Sequence, residues 1–480
     1  MITARTGEST TIDSSSTVVM LARAAGVDSR TRELLEGPIV RTLLRLAWPN
    51  MLVMLAQAST GLIETWWVSH LGTDALAGMA LVFPVVMLMQ MVSAGAMGGG
   101  ISSAVARALG AGRRAEADAL VMHSILINVA LGVFFSFVML AFGPSIYRAL
   151  GGTAGELQTA LSYSNIVFTG SVLLWLMNAL ASVIRGTGNM LVPAAVISAG
   201  VLFLVPLSPC LIFGVGPFPK LGVAGAGVAL VLFYAAGTAV LLWYTLSGRN
   251  VARFRWTRLR WPLFRNILSV GAVAAITSLQ TNVTIALATA LVAGASGTNA
   301  IAGFGTGVRL EYILIPLIFG LGAPLVALVG TNIGAGQKQR ALRIALVGGA
   351  IAFVISEAIG LIGALWPQAW LALFSPDARV IETGSAYLRI VGPAYGFFGL
   401  GMALYFASQG AARLLWPLVS GTLRVVVAIG AGWLALHLTG SLNWLFAALA
   451  LGLFVYGAVL TTAVLSGVWF GARSDARTSQ

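Results

Sequence analysis

Charge is what this sequence has least of. Only 9% of its 480 residues are Asp, Glu, Lys or Arg, against 58% hydrophobic, and the mean hydropathy is +0.92. Soluble domains carry about 25% charged residues. No globular core could bury so much apolar surface and still cover itself with so few charges, which excludes a soluble enzyme, a disordered chain and a disulfide scaffold. The single cysteine, Cys210, lies in an apolar run and cannot form an internal disulfide. His70, His123 and His437 stand alone, so no metal motif or nucleophile triad is present. Ala108 to Arg114 lacks the Lys-Ser/Thr ending of a phosphate loop, so ATP is not indicated and no cofactor is expected. A membrane-embedded enzyme would need clustered His, Asp, Glu or Cys at helical spacing, which the sequence does not offer.

What remains is apolar runs. At about 20 residues per span, 480 residues allow roughly a dozen transmembrane helices. Apolar stretches between polar or Gly/Pro punctuation place them near 43–69, 76–107, 117–142, 157–184, 190–214, 222–246, 264–293, 299–329, 341–364, 380–408, 414–438 and 444–470. With the N-terminus inside, 22 of the 28 Lys and Arg fall on the cytoplasmic side, Arg185 among them, and only Arg148, Lys220 and Arg379 fall in outer loops. That bias predicts a multi-pass protein of the bacterial cytoplasmic (inner) membrane with both termini in the cytoplasm. The net charge of +13 then faces anionic lipid headgroups, not nucleic acid.

The two halves repeat each other. Gly72-Thr73-Asp74-Ala75-Leu76-Ala77-Gly78 recurs as Gly297-Thr298-Asn299-Ala300-Ile301-Ala302-Gly303, an offset of 225. An offset of 224 pairs Gly110-Ala111-Gly112 with Gly334-Ala335-Gly336, Tyr163 with Tyr387, Gly186 with Gly410 and Pro193 with Pro417. Each repeat holds six spans, an even number, so both have the same orientation and are related by an axis along the membrane normal. The predicted fold is an all-α integral membrane protein, with twelve transmembrane helices in two six-helix lobes related by a parallel internal repeat. Its parts are a flexible cytoplasmic extension (1–36), an N-lobe (37–247), a basic linker (248–263), a C-lobe (264–470) and a cytoplasmic tail (471–480). A binding cavity is expected between the lobes, and a monomer is expected to suffice.

Acids deep inside a membrane are functional candidates by default, and here they are Glu64, Glu311 and Glu357. Glu64 lies about six residues, or roughly 9 Å, below the outer end of span 1. Gln57 shares its helical face two turns earlier. A carboxylate there can exchange a proton, pair with a cationic substrate or bind Na⁺; alternatively it is a protonated group holding two helices together. Arg309 and Glu311 are two residues apart on span 8 and do not share a face. With Glu357 they are read as a second-lobe charge network or a cargo-coordinating group. Asn165, Asn178, Gln280 and Asn282 are candidate cavity donors. Trp175, Tyr163 and Phe83 offer ring faces to flat cations, with core or lipid packing as the competing role.

The repeat motifs and their neighbours resemble the multidrug and toxic compound extrusion (MATE) family from about residue 38 to 470, closer to its proton-coupled, DinF-like branch. The resemblance rests on Ala47-Trp48-Pro49, Gly72 to Gly78, Leu109-Gly110-Ala111-Gly112, Arg185-Gly186-Thr187-Gly188-Asn189, Leu221 to Ala226, Asn332 to Gly336 and Leu373-Phe374-Ser375-Pro376-Asp377, in order over twelve spans. It implies a cation-coupled antiporter, not an enzyme, that exports amphipathic organic cations by alternating access. It also implies an acid eight positions before the Gly of the Leu-Gly motif, the spacing of Glu64 and Gly72, with Gln57 at a polar position of that branch. Leu204 and Ser208 replace an amide and a second carboxylate in span 5, and Leu230 replaces a Thr in span 6. Spans 7 and 10 lack the carboxylates of another branch's Na⁺ site and keep Gln280, Asn282 and Gln409, which favours H⁺ over Na⁺ as the coupling ion. The rival readings are a lipid-linked precursor flippase, a major-facilitator exporter of an endogenous metabolite, and a passive channel.

Overall fold

The computed structural model describes residues 28–467 and 469. Residues 1–27 of the extension expected over 1–36, and the tail 471–480, lie outside the described residues. No strand occurs among the described residues, as expected where lipid offers backbone groups no partner. Twelve spans cross in order: Ile39–Ser69, Thr73–Gly110, Arg114–Ala149, a bent fourth span, Leu191–Phe213, Val223–Leu246, Trp261–Ala295, Ala300–Gly334, Lys338–Leu365, Ala378–Gly410, Leu415–Thr439 and Leu442–Leu465. Span 4 is the pair Gly155–Thr169 and Ser171–Gly186, which meet at 47°. Its N-terminal end is fixed by a capping box, in which the Thr153 N–H and hydroxyl both donate to Glu156 Oε2 at 2.9 and 2.8 Å.

Helical backbone runs unbroken from Trp261 to Gly334. As a straight rod those 74 residues would measure about 111 Å, far beyond any bilayer. The chain instead turns back. A Cβ at Gly100 would stand 2.7 Å from the Ile267 carbonyl oxygen, and one at Gly110 would stand 2.0 Å from that of Thr331. Span 2 thus touches the beginning of span 7 and the end of span 8 within about three turns. The turn back separates the two spans Trp261–Ala295 and Ala300–Gly334.

The internal repeat is visible in three dimensions. Gly186 packs on Ser102, and Gly410, at offset 224, packs on Val326, at offset 224 from Ser102. A Cβ on either glycine would lie 2.8 or 2.7 Å from the facing carbonyl oxygen. Between the lobes the relation becomes reciprocal: Gly110 meets the Thr331 carbonyl and Gly334 meets that of Arg107, while Gly330 faces its own counterpart, Ala106. Residue i touching j′ and j touching i′ is the signature of a two-fold axis. It runs here between spans 2 and 8.

Each lobe has its own apolar core, one around Trp175 and Tyr147, the other around Tyr387 and Phe398. The cores do not divide at the boundaries read from sequence. Leu43, Leu46 and Ala47, at the start of span 1, pack in the second core, and Leu263 and Ile267, at the start of span 7, pack in the first. The first spans of the two lobes therefore cross over at the arginine-rich end. The basic linker is docked too: the Arg253 N–H donates to Asp118 Oδ1 at 2.8 Å and the Arg260 N–H to His123 Nε2 at 3.0 Å, both on span 3.

Residues 28–36 correct the expectation of a mobile extension. They form the helix Ser29–Glu36, started by Asp28, whose side chain accepts from the Arg30 N–H. Leu34 is buried on Gly188 of the first lobe, and its carbonyl accepts from Asn332 Nδ2 of the second at 3.1 Å. The Gly37 carbonyl accepts from Arg340, and Glu33 pairs with Arg45. This helix lies across both lobes.

Candidate functional site

Span 2 explains why a cavity forms. Its Gly98–Gly110 half packs against span 8, whereas Thr73–Gln90 packs within its own lobe. The lobes meet at the arginine-rich end and part at the other. Between the halves Met91–Met97 is a π-helical turn, which swings Met91, Ala94 and Gly95 onto the space between the lobes. That space is a cavity of about 350 Å³, lined by spans 1, 2, 4, 5, 6, 8 and 10, and of the size that holds a small organic molecule.

Span 1 contributes a stripe at helical spacing: Asn50, Met54, Gln57, Gly61 and Glu64. The stripe is about 21 Å long. Glu64 is 6% exposed, and its Oε1 is buried without a hydrogen-bond partner. It is the one carboxylate in the cavity wall among the described residues. Tyr163 and Tyr234 stand close enough to interact with its charge. Gln57, Tyr163, Phe83 and Asn178 line the cavity. Asn178 Nδ2 donates to Ser93 Oγ at 3.1 Å and Gln90 Oε1 at 3.3 Å, which joins span 4 to the π turn. Leu204 and Leu230 also face the cavity, so its walls are apolar where the resemblance would place polar groups; Ser208 is fully buried.

Other candidates lie elsewhere. Trp175 is 0% exposed and packs on Phe135, with ring centroids 5.4 Å apart, so it belongs to the core. Asn165 is exposed on the outer face of span 4 and does not line the cavity. Gln280 donates to Thr422 Oγ1 at 2.8 Å, which fastens span 7 to span 11. Asn282 donates to the Ser278 carbonyl at 3.0 Å and reaches Met91 Sδ at 3.7 Å across the lobes.

The second-lobe network takes a different form from the one read in sequence. Glu311 is buried, accepts from the Tyr387 hydroxyl at 3.2 Å and pairs with Arg424 at 3.5 Å. Arg424 also lies over the rings of Phe398 and Tyr456. Arg309 points away, because two helical residues do not share a face, and stacks on Phe374. Glu357 is separate again: its Oε2 accepts from the Gly396 N–H at 2.7 Å, a donor freed by the 3₁₀ turn Gly392–Ala394 in span 10. Beside Glu311 lies a void of about 30 Å³, too small for an organic cargo.

Sequence reasoning missed Gln90, Tyr234 and Arg185 as cavity residues. Gln90 and Tyr234 were legible as polar atoms inside apolar runs. Arg185 was counted with the charges facing the cytoplasm, yet it is 8% exposed and lines the cavity. The bend at Gly170 carries the end of span 4 inward, which no charge tally records.

Two lobes, a parallel repeat and one central cavity describe a transporter of small molecules. The family pattern MatE matches residues 49–210 and 274–434, once in each repeat. The chain is 28% identical over 399 residues to the FAD transporter of Shewanella oneidensis, covering 82% of this chain and 87% of that one. It is 27% identical over 391 residues to the probable multidrug resistance protein NorM of Thermotoga maritima, covering 80% and 83%. A solved MATE family multidrug resistance transporter of the MOP superfamily, in an outward-facing conformation, superposes with a TM-score of 0.84 at 23% identity, covering 92% of this chain and 98% of that one. This multi-pass membrane protein belongs to the MatE family of transporters. That membership sets the major-facilitator plan aside.

Proposed function

We propose that the protein exports amphipathic organic cations in exchange for protons, by alternating access. It works as a monomer in the bacterial inner membrane, with the arginine-rich end and both termini in the cytoplasm. The observation that carries this reading is Glu64: one cavity carboxylate, buried, with an oxygen that no protein group satisfies. Deprotonated, it attracts a cation to apolar and aromatic walls that include Phe83, Tyr163 and Phe233. Protonation removes the attraction and releases the cargo. The walls opposite Glu64, at Leu204 and Leu230, add no second carboxylate for a metal-ion cage, which favours H⁺ over Na⁺. Gln57, on the same stripe, supplies a neutral hydrogen-bonding group to the cargo. The multidrug resistance name of the Thermotoga relative supports the cargo class. No catalytic step or cofactor enters the mechanism.

The test is ethidium transport by purified protein in liposomes with an imposed pH gradient, comparing wild type with Glu64→Gln. Uphill transport that collapses in the variant while ethidium binding survives is the expected result. Equal transport by both proteins removes Glu64 from the coupling step.

A further inference from the structure

Arg185 is the cavity's unanswered charge. It occupies the last turn of span 4, in Ser171–Gly186, and lines the same cavity as Glu64 at the level of Ser102, the innermost span 2 residue of the wall. Among the described residues its guanidinium takes part in no hydrogen bond and no ion pair, and Nε is a buried donor without a partner. A guanidinium presents five donors in a fixed fork, and a buried one without an opposing charge is destabilising.

Two bland explanations fail on the geometry. Arginines that serve membrane orientation extend towards headgroups and water, whereas Arg185 is 8% exposed. Packing does not demand the charge either. The same position of the second repeat is Gln409, offset 224, next to a glycine that makes the same contact with its own lobe. Gln409 lines the cavity as well, with Oε1 buried and unpartnered and Nε2 donating to the Gly95 carbonyl at 3.3 Å. A neutral amide therefore satisfies the fold at this position, and the guanidinium is an addition specific to the first lobe.

We propose that Arg185 is an anion-binding subsite at the inner end of the cavity, and that the cargo is bipolar, with an acidic group on Arg185 and a basic group towards Glu64. This refines the exporter reading and rests on it. A carboxylate or phosphate suits the fork bidentately. The Ser182 hydroxyl and the Gln409 amide border the same floor. The apolar wall between the ends takes the body of the cargo, and a purely cationic molecule leaves the inner end unpaired.

The test uses a matched pair of dyes, rhodamine 110 with its free carboxylate and rhodamine 123, its methyl ester, titrated by anisotropy against the purified full chain. Wild type is expected to hold the acid about tenfold or more tighter than the ester, the size of one charge-assisted hydrogen bond. Arg185→Gln erases that preference, and Arg185→Lys keeps part of it. Equal affinity of wild type for both dyes overturns the subsite, as does equal weakening of both in Arg185→Gln. The Glu64→Gln experiment separates the two readings. Gradient-driven ethidium transport without an acid preference sinks the subsite alone, and an acid preference without coupled transport sinks the exporter alone. Failure to bind either dye overturns both.

Discussion

Tyr387 donates its hydroxyl to Glu311 at 3.2 Å, while Tyr163, the same position in the first repeat, stands beside Glu64 without bonding to it. The duplicated frame thus holds two buried carboxylates in opposite conditions. One is tied by a tyrosine and an arginine; the other faces the cavity with an oxygen unsatisfied.

The tied carboxylate is expected to matter for stability. Removing one member of a buried pair strands the other's charge, at a cost of about 3–5 kcal/mol, whereas replacing both with neutral groups costs less. Arg424→Ala therefore lowers the midpoint of thermal unfolding sharply, and Glu311→Gln/Arg424→Met restores much of it. Gradient-driven ethidium transport survives in the double variant. Loss of coupling there with stability intact assigns Glu311 a role in the proton cycle that its bonding argues against.

A second expectation concerns the contact between spans 2 and 8. An alanine methyl at Gly110 or Gly334 would lie 2.0 or 2.2 Å from a backbone carbonyl oxygen of the other lobe, inside any permitted approach. Either substitution pushes the arginine-rich ends of the lobes apart. The check is Ser103→Cys in a Cys210→Ser background, since Ser103 is fully buried and donates to the Gln409 carbonyl at 2.6 Å. Labelling by an impermeant maleimide from that side rises on adding Gly110→Ala, and unchanged protection counts against a seal at this point.

Two aromatic residues weighed for the same role separate cleanly. Phe83 is 49% exposed and in the cavity wall, and Trp175 is 0% exposed in the core. Phe83→Ala weakens ethidium binding, by about 0.5–2 kcal/mol if the ring meets the cation face-on, with little change in unfolding temperature. Trp175→Ala does the reverse, costing about 3–5 kcal/mol of stability. Isothermal titration beside a thermal melt distinguishes them.

The spans and their pairing were legible because lipid leaves the backbone few choices and because the duplicated glycines keep their spacing. Glu64 and Gln57 were legible because a single helix fixes which residues share a face. Residues whose partners sit on other helices were not. Arg309 and Glu311 are neighbours in sequence but answer to Phe374 and Arg424, and Asn165 and Trp175 turn away from a cavity that Asn178 joins. Helical periodicity ranks the faces of one helix; it does not say which face meets the cavity once a span bends, as span 4 does at Gly170.

The closure between spans 2 and 8 is made of main chain, glycine against carbonyl, and not of side chains chosen for a ligand. In the state closed at the arginine-rich end, its tightness does not depend on which side chains line the cavity. Substitutions at Leu204, Leu230 or Gln409 can retune the cargo without opening a leak for protons or ions. The same barrier can serve relatives with unlike substrates, with selectivity drifting in one half of the molecule while insulation stays fixed in the other.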